Sequence, residues 1–222
     1  MMWLRQARKE RRWTQTQAAS RLGVSQAYLS LLESGKRTVS PRLARRFERW
    51  LHVPATVLRP RERNLEDPAE LARELATLGY EPLEYLGRDT PANPAEVLLS
   101  ALRQRNLEAR LTEALPWVAL TYPNLNWNWL LERTKVHDAQ NRLGYVVGLA
   151  RQLAERQDPA AVNKLREQES LLERSRLAAE GTLCQDSMTQ AERRWLRDNR
   201  PQDAVHWNLL TNLRGNDLPY AA

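Results

Sequence analysis

Not one of the chain's 222 residues is an isoleucine, and its single phenylalanine, Phe47, stands against eight tryptophans. Large sheets are built from β-branched and aromatic residues. Here Leu, Ala, Arg, Gln and Glu dominate, residues that lose little side-chain freedom in a helix. The expectation is an all-α fold; an all-β or doubly wound α/β architecture is excluded. Hydrophobic residues make up 42% of the chain, enough to close a core, so the chain is not of the disordered class. No apolar run reaches the ~18 residues of a membrane span. The start, MMWLRQARKERRW, is charged and amphipathic rather than a secretory leader. One cysteine, Cys184, rules out an internal disulfide and a cysteine-based metal cluster. A reducing cytoplasm is therefore the expected compartment.

The net charge of +7 is unevenly spread. Residues 1–64 hold fifteen Lys/Arg and four Asp/Glu, a local charge of +11, and the rest of the chain carries −4. A basic head on a mildly acidic body is the distribution of a nucleic-acid-binding unit joined to one that does not bind nucleic acid.

Helix signals follow one another closely in that head. Leu4, Ala7, Arg8 and Arg11 share a face of a helix beginning near Met2. Thr14 with Gln17 makes a capping box for a second helix, Ala18, Ala19 and Leu22 supply its apolar stripe, and Gly23 stops it. Ser25 caps a third helix over residues 26–34 with Leu29 and Leu32 inward, and Gly35 ends it. Ser40-Pro41 opens a fourth helix to about Leu51, burying Leu43, Phe47 and Trp50 or Leu51; Pro54 starts a short fifth through Leu58. Two short helices joined through Gly23-Val24-Ser25 describe a helix-turn-helix.

The stretch LRQARKERRWTQTQAASRLGVSQAYLSLLESGKRTVSPRLARRFERWLHVP resembles the XRE-type, phage-repressor-like helix-turn-helix domain. The likeness covers roughly residues 3–60. It is carried by Leu4, Arg8, Trp13, Thr14-Gln15, Ala18-Ala19, Leu22-Gly23-Val24-Ser25, Leu29, Leu32-Glu33 and Gly35-Lys36-Arg37. It implies a five-helix domain that binds double-stranded DNA with its third helix in the major groove. Gln26, Ala27 and Ser30 are then the base-reading candidates. Gln26 leads because its amide can pair bidentately with adenine, and Ala27 can touch a thymine methyl. Gln15, Ser25, Tyr28, Lys36 and Arg37 are the phosphate-binding candidates. Arg8 and Glu33 occupy positions that pair in similar domains, a structural ion pair bracing the first helix against the third. Leu31 departs from the pattern: similar domains often carry a polar base-reading residue there, so the polar reading face is short. Arg42, Arg45, Arg46 and Arg49 fall on the fourth helix, which usually helps form the dimer interface, and are read as a solvated face ahead of DNA contacts.

Beyond the head, the reading divides the chain into 1–60, a 61–94 linker with one helix, and a helical 95–222 domain for dimerisation, effector sensing or partner binding. Caps and stops place helices at Asp67–Leu78, Ala95–Leu115, Trp117–Tyr122, Trp127–His137, Arg142–Glu155, Pro159–Glu180, Thr189–Arg197 and from Asp203 to near Gly215. Tyr80–Pro94 reads as a loop, with a strand near Pro82–Leu86 as the alternative. The body carries none of the usual catalytic patterns. Its histidines are isolated, its glycines scattered, no nucleophile elbow is present, and neither the His137-Asp138 pair nor Cys184 amounts to a site. Neither a metal nor a cofactor is expected, and the chain is not read as an enzyme. The aromatic cluster Trp117, Tyr122, Trp127, Trp129 and Tyr145 reads first as core, with a ligand pocket or partner surface as the alternative.

The function expected is therefore a DNA-binding transcriptional regulator, a repressor acting as a homodimer on a palindromic operator. The alternative is an antitoxin or defence-system regulator whose body binds a toxin or defence enzyme and whose DNA binding is autoregulatory; the segment LNWNWLLERTKVHDAQNRLG bears a faint similarity to such regions. A small-molecule sensor is the third reading. A membrane is not among the expected partners.

Overall fold

The computed structural model describes residues 2–221 apart from 38, 41–42, 44–45, 48–49, 51–55, 57–59, 87–91 and 156–157, with backbone only for residues 2 and 3. The chain divides into two compact units, Met1–Arg59 and Pro60–Ala222.

In the first unit the described helices are α1 (Met2–Glu10), α2 (Gln15–Leu22) and α3 (Gln26–Glu33). Their boundaries follow from local chemistry. Thr14 Oγ1 accepts from the Gln17 N–H at 3.2 Å while Gln17 Oε1 accepts from the Thr14 N–H at 2.9 Å, a complete capping box. Gly23 ends α2 in the left-handed region (φ 62°, ψ 41°), where a side chain would be strained. Ser25 Oγ then caps α3 through the Tyr28 N–H at 3.2 Å. Leu4, Ala18, Ala19, Leu22, Leu29, Leu32, Leu43 and Phe47 form the core. The fourth and fifth helices read at Ser40–Leu51 and Pro54–Leu58 lie largely outside the described residues, as do Arg42, Arg45, Arg49 and Leu51. Trp50, expected to alternate with Leu51 in the core, is 42% exposed.

The second unit is a helical body: α4 (Pro68–Thr77), α5 (Pro94–Leu102), α6 (Ala109–Thr121), α7 (Trp127–Val136), α8 (Gln140–Ala154), α9 (Pro159–Glu173), α10 (Gln190–Asn199) and α11 (Gln202–His206). Two short strands, β1 (Gly181–Thr182) and β2 (Leu209–Leu210), pair in parallel, Gly181 opposite Leu209. One continuous core runs from Leu65 and Leu71 through α5, α6 and α8 to Trp207 and Leu209. The helices α8 and α9 lie antiparallel, with Arg151 Nε donating to Glu169 Oε2 at 2.7 Å and Asn141 bonded to Leu177. Gly144 lets Trp207 lie against α8: a Cβ there would come within 2.4 Å of the indole ring.

Five expectations are corrected. The segment read as a linker belongs to the body. Leu65 is buried, the Arg61 N–H donates to Glu96 Oε1 at 2.6 Å, and Ser100 Oγ donates to the Arg63 carbonyl at 2.9 Å. Arg63 also pairs with Glu74 and Glu70, and Glu62 with Arg103, Arg133 and His137. Mixed charge there is therefore paired strap rather than solvated linker. The single helix expected over Ala95–Leu115 is interrupted at 103–108, and its second part continues through Pro116 to absorb the separate helix expected after it. At the break, the Leu107 N–H donates to the Cys184 carbonyl and the Asp186 N–H to the Arg105 carbonyl, both at 2.8 Å. The helix expected to reach Glu180 stops at Glu173, because Asn141 takes both main-chain groups of Leu177, at 2.9 and 2.8 Å. The last helix closes at His206, after which Asn208 (φ 52°) turns the chain into β2. The alternative strand at Pro82–Leu86 is a 3₁₀ helix, Glu81–Leu86.

Candidate nucleic-acid interface

The first unit organises its polar residues around one ion pair. Arg8 Nε donates to Glu33 Oε1 at 2.6 Å and Nη2 to Oε2 at 3.1 Å; Nη1 reaches the Trp13 carbonyl at 2.8 Å. The side chains are 11% and 4% exposed. Burial pushes the Glu33 carboxyl up, but hydrogen bonds from Arg8 and Gln15 and the charges of Arg8 and Arg5 outweigh it, holding the group below the usual carboxylate range. The hydrogen bond to Glu33 raises Arg8 in turn.

From that pair a chain of side chains leads outward. Gln15 Nε2 donates to Glu33 Oε2 at 2.9 Å, and Gln26 Nε2 donates to Gln15 Oε1 at 2.7 Å. Gln26 is the first residue of α3 and is exposed. A primary amide has two N–H donors and one carbonyl acceptor. One donor is spent on Gln15, which restrains the amide. A second donor and the Oε1 acceptor complete the group, and a donor-acceptor pair of that kind matches adenine N7 and N6 in the major groove.

Ala27 and Leu31 are exposed and Ser30 half-buried along the same helix, while Leu29, Leu32 and Glu33 are buried. Ser25 Oγ is occupied as the α3 cap. Tyr28 packs against the core and lines a cleft with Gly23, Val24, Ser40, Leu43 and Arg46. Lys36 and Arg37 follow α3, exposed, with both backbone N–H groups on the Leu31 carbonyl at 2.9 and 3.3 Å. At the start of α2 the N–H groups of Gln15 and Thr16 have no intrahelical acceptor.

Two features were not legible beforehand. The guanidiniums of Arg21 and Arg11 lie 4.5 and 5.6 Å from the Trp13 ring centroid, cation-π contacts that hold two charges beside the α2 N-terminus. Arg46 is not simply a solvated side chain: Nη1 donates to the Leu22 carbonyl at 2.8 Å and lies where a Cβ on Gly23 would sit.

Residues 4–58, about a quarter of the chain, match the family model described as helix-turn-helix. This unit is an XRE-like helix-turn-helix domain, and the chain is a DNA-binding transcription regulator. No curated protein and no solved structure matches the chain.

In the body, the aromatic candidates pack onto the core. Trp117 meets Tyr80 at 5.2 Å and Tyr122 edge-on at 6.1 Å between centroids. Tyr122 Oη donates to the Leu78 carbonyl at 2.6 Å and Trp127 Nε1 to the Pro123 carbonyl at 3.1 Å. Trp129 is half-buried against the same core. Tyr145 is 1% exposed and donates to the Leu213 carbonyl. Of the five, Tyr145 lines a cleft, with Leu149, Asp203 and Arg214. Burial pushes the Cys184 thiol up to about 11, which leaves it unreactive at neutral pH. Among the described residues no group of three His, Cys, Asp or Glu is placed to hold a metal ion, and no helix is long and apolar enough to cross a membrane.

Proposed function

We propose that this chain is a sequence-specific, non-enzymatic transcriptional repressor that binds a palindromic operator at the nucleoid as a homodimer, with α3 in the major groove. The observation that carries the reading is the chain Arg8–Glu33–Gln15–Gln26, which runs from a buried ion pair to an exposed amide at the head of α3. A side chain held in one plane by a buried charge loses less entropy on meeting a base than a free glutamine does. Gln26 is the principal base reader in this reading, with Ala27 and Ser30 beside it. Phosphates fall to Lys36, Arg37, Tyr28, Ser25 and the N-terminus of α2, where Gln15 keeps one side-chain donor.

One such domain contacts too few base pairs for high specificity; two related by a two-fold axis, reading half-sites roughly 34 Å apart, make up the deficit. The 42% exposed indole of Trp50 supports a protein contact at that residue. Repression is the simpler output, since occupying a promoter suffices for it, whereas activation needs a further contact to polymerase.

The test is selection from a randomised duplex DNA library, followed by affinity measurement on the enriched site. Gln26→Ala is expected to relax the preference at one position per half-site. Lys36→Ala is expected to weaken all sequences alike and flatten the salt slope by about one. If neither change alters binding, the reading is wrong.

A further inference from the structure

Leu31 is the one leucine of α3 that is not buried: it is 37% exposed, where Leu29 and Leu32 are 0%. Ala27, one turn earlier and also exposed, shares its side of the helix, since residues four apart are neighbours on a helical surface. The two make a narrow apolar strip bordered by the exposed amide of Gln26 and by Ser30. Two exposed cations, Lys36 and Arg37, follow the helix. The Leu31 carbonyl accepts from Ser34 Oγ at 3.1 Å and from the N–H groups of Lys36 and Arg37. Its backbone is therefore tied to the turn that carries those charges.

We infer that Leu31 is a specificity-determining residue that reads the 5-methyl group of thymine, extending the reading of Gln26 further along the groove. This rests on the DNA-binding function proposed above. An apolar strip framed by cations and an amide complements a polyanion with apolar groups on its floor. Thymine methyls are the apolar groups that the major groove of DNA displays. What looked like a shortening of the polar reading face is thus a change of its chemistry.

The experiment uses the full chain and the enriched duplex from the library. In the wild type, replacing the relevant thymine in each half-site by deoxyuridine, which lacks only the methyl, is expected to weaken binding about four-fold per half-site. That is the equivalent of the ~0.8 kcal/mol for one buried methyl-sized group. In Leu31→Ala the same replacement is expected to be neutral, and the preference at the Gln26 position to persist. Leu31→Met, which keeps an apolar tip, is expected to retain the thymine dependence. Deoxyuridine that is neutral for the wild type, or equally harmful to Leu31→Ala, overturns the inference. So does a Leu31→Ala protein whose self-association falls while its thymine dependence is unchanged, which assigns the strip to a second copy. A library that enriches no motif overturns the DNA-reading function itself, and the inference with it.

Discussion

Arg8 in the first unit and Arg142 in the second are both largely buried arginines, and they spend their donors on different kinds of acceptor. Arg8 engages one carboxylate, Glu33, and one carbonyl, Trp13. Through Gln15 that carboxylate is connected to an exposed amide with hydrogen-bonding capacity left over. Arg142 donates to the carbonyls of Thr182, Leu102 and Gln104 at 2.8 Å each and to Asp186 Oδ1 at 3.4 Å. Three of those acceptors are backbone at the break between α5 and α6 and at β1; the fourth, Asp186, also accepts from Thr182 Oγ1 and from the exposed Arg105. Arg8 is connected to an exposed amide at the head of α3, a group that can meet a base. Arg142 gives most of its donors to carbonyls and holds loops together.

Breaking each network separates the two roles. Arg142→Ala strands three carbonyls, with an expected cost of about 3–5 kcal/mol in the body and no change in DNA preference. Glu33→Ala leaves Arg8 unpaired, with a similar expected cost of about 3–5 kcal/mol, but in the first unit and with relaxed discrimination at the base facing Gln26. Hydrogen exchange on the full chain locates each loss, and binding to the enriched site reads the second effect. Gly144→Ala sharpens the contrast from the packing side. Its Cβ would meet the Trp207 ring at 2.4 Å, and the expected loss is about 1–3 kcal/mol in the body alone.

The capping boxes offer a matched pair. Thr14 with Gln17 opens α2 and Thr189 with Glu192 opens α10. Thr14→Ala and Thr189→Ala are each expected to cost about 1 kcal/mol. Only Thr14→Ala should also weaken DNA binding, because α2 presents its N-terminus beside Gln15. The smallest effect is that of pH. Glu33 is held below its ordinary value, so its contribution is fully present above the unfolded value near 4.3 and is lost as pH falls through the folded one. Exchange protection of α1–α3 is therefore expected to stay level from pH 7 to about 5 and to fall below about 4.

Legibility differs between the units for the same reason. Thr14, Gly23, Ser25, Asp67-Pro68 and Thr189 announce helix ends because their partners lie within a few residues, and those ends are where the local chemistry puts them. The interruption at 103–108 is made by Cys184 and Asp186, and the early stop at Glu173 by Asn141. Such partners lie far away in sequence, and spacing does not encode them. In the interface, the pairing of Arg8 with Glu33 was implied by resemblance. The use of Gln15 as a bridge to Gln26 was not, because eleven residues separate the two and either amide alone suits a phosphate or a base. The anchoring of Arg46 escapes spacing for a related reason: its acceptor, the Leu22 carbonyl, is an unmarked helix end twenty-four residues earlier.

The central claim is that Gln15 orients Gln26 for base reading, and a double-mutant cycle on adenine discrimination tests it most directly. Gln26→Ala is expected to remove about 1–3 kcal/mol of discrimination at one base. Gln15→Ala is expected to remove about 0.5–1 kcal/mol of the same discrimination when Gln26 is present, and none when Gln26 is already alanine. Equal losses from Gln15→Ala in both backgrounds would contradict the account, because Gln15 would then act on the DNA independently of Gln26.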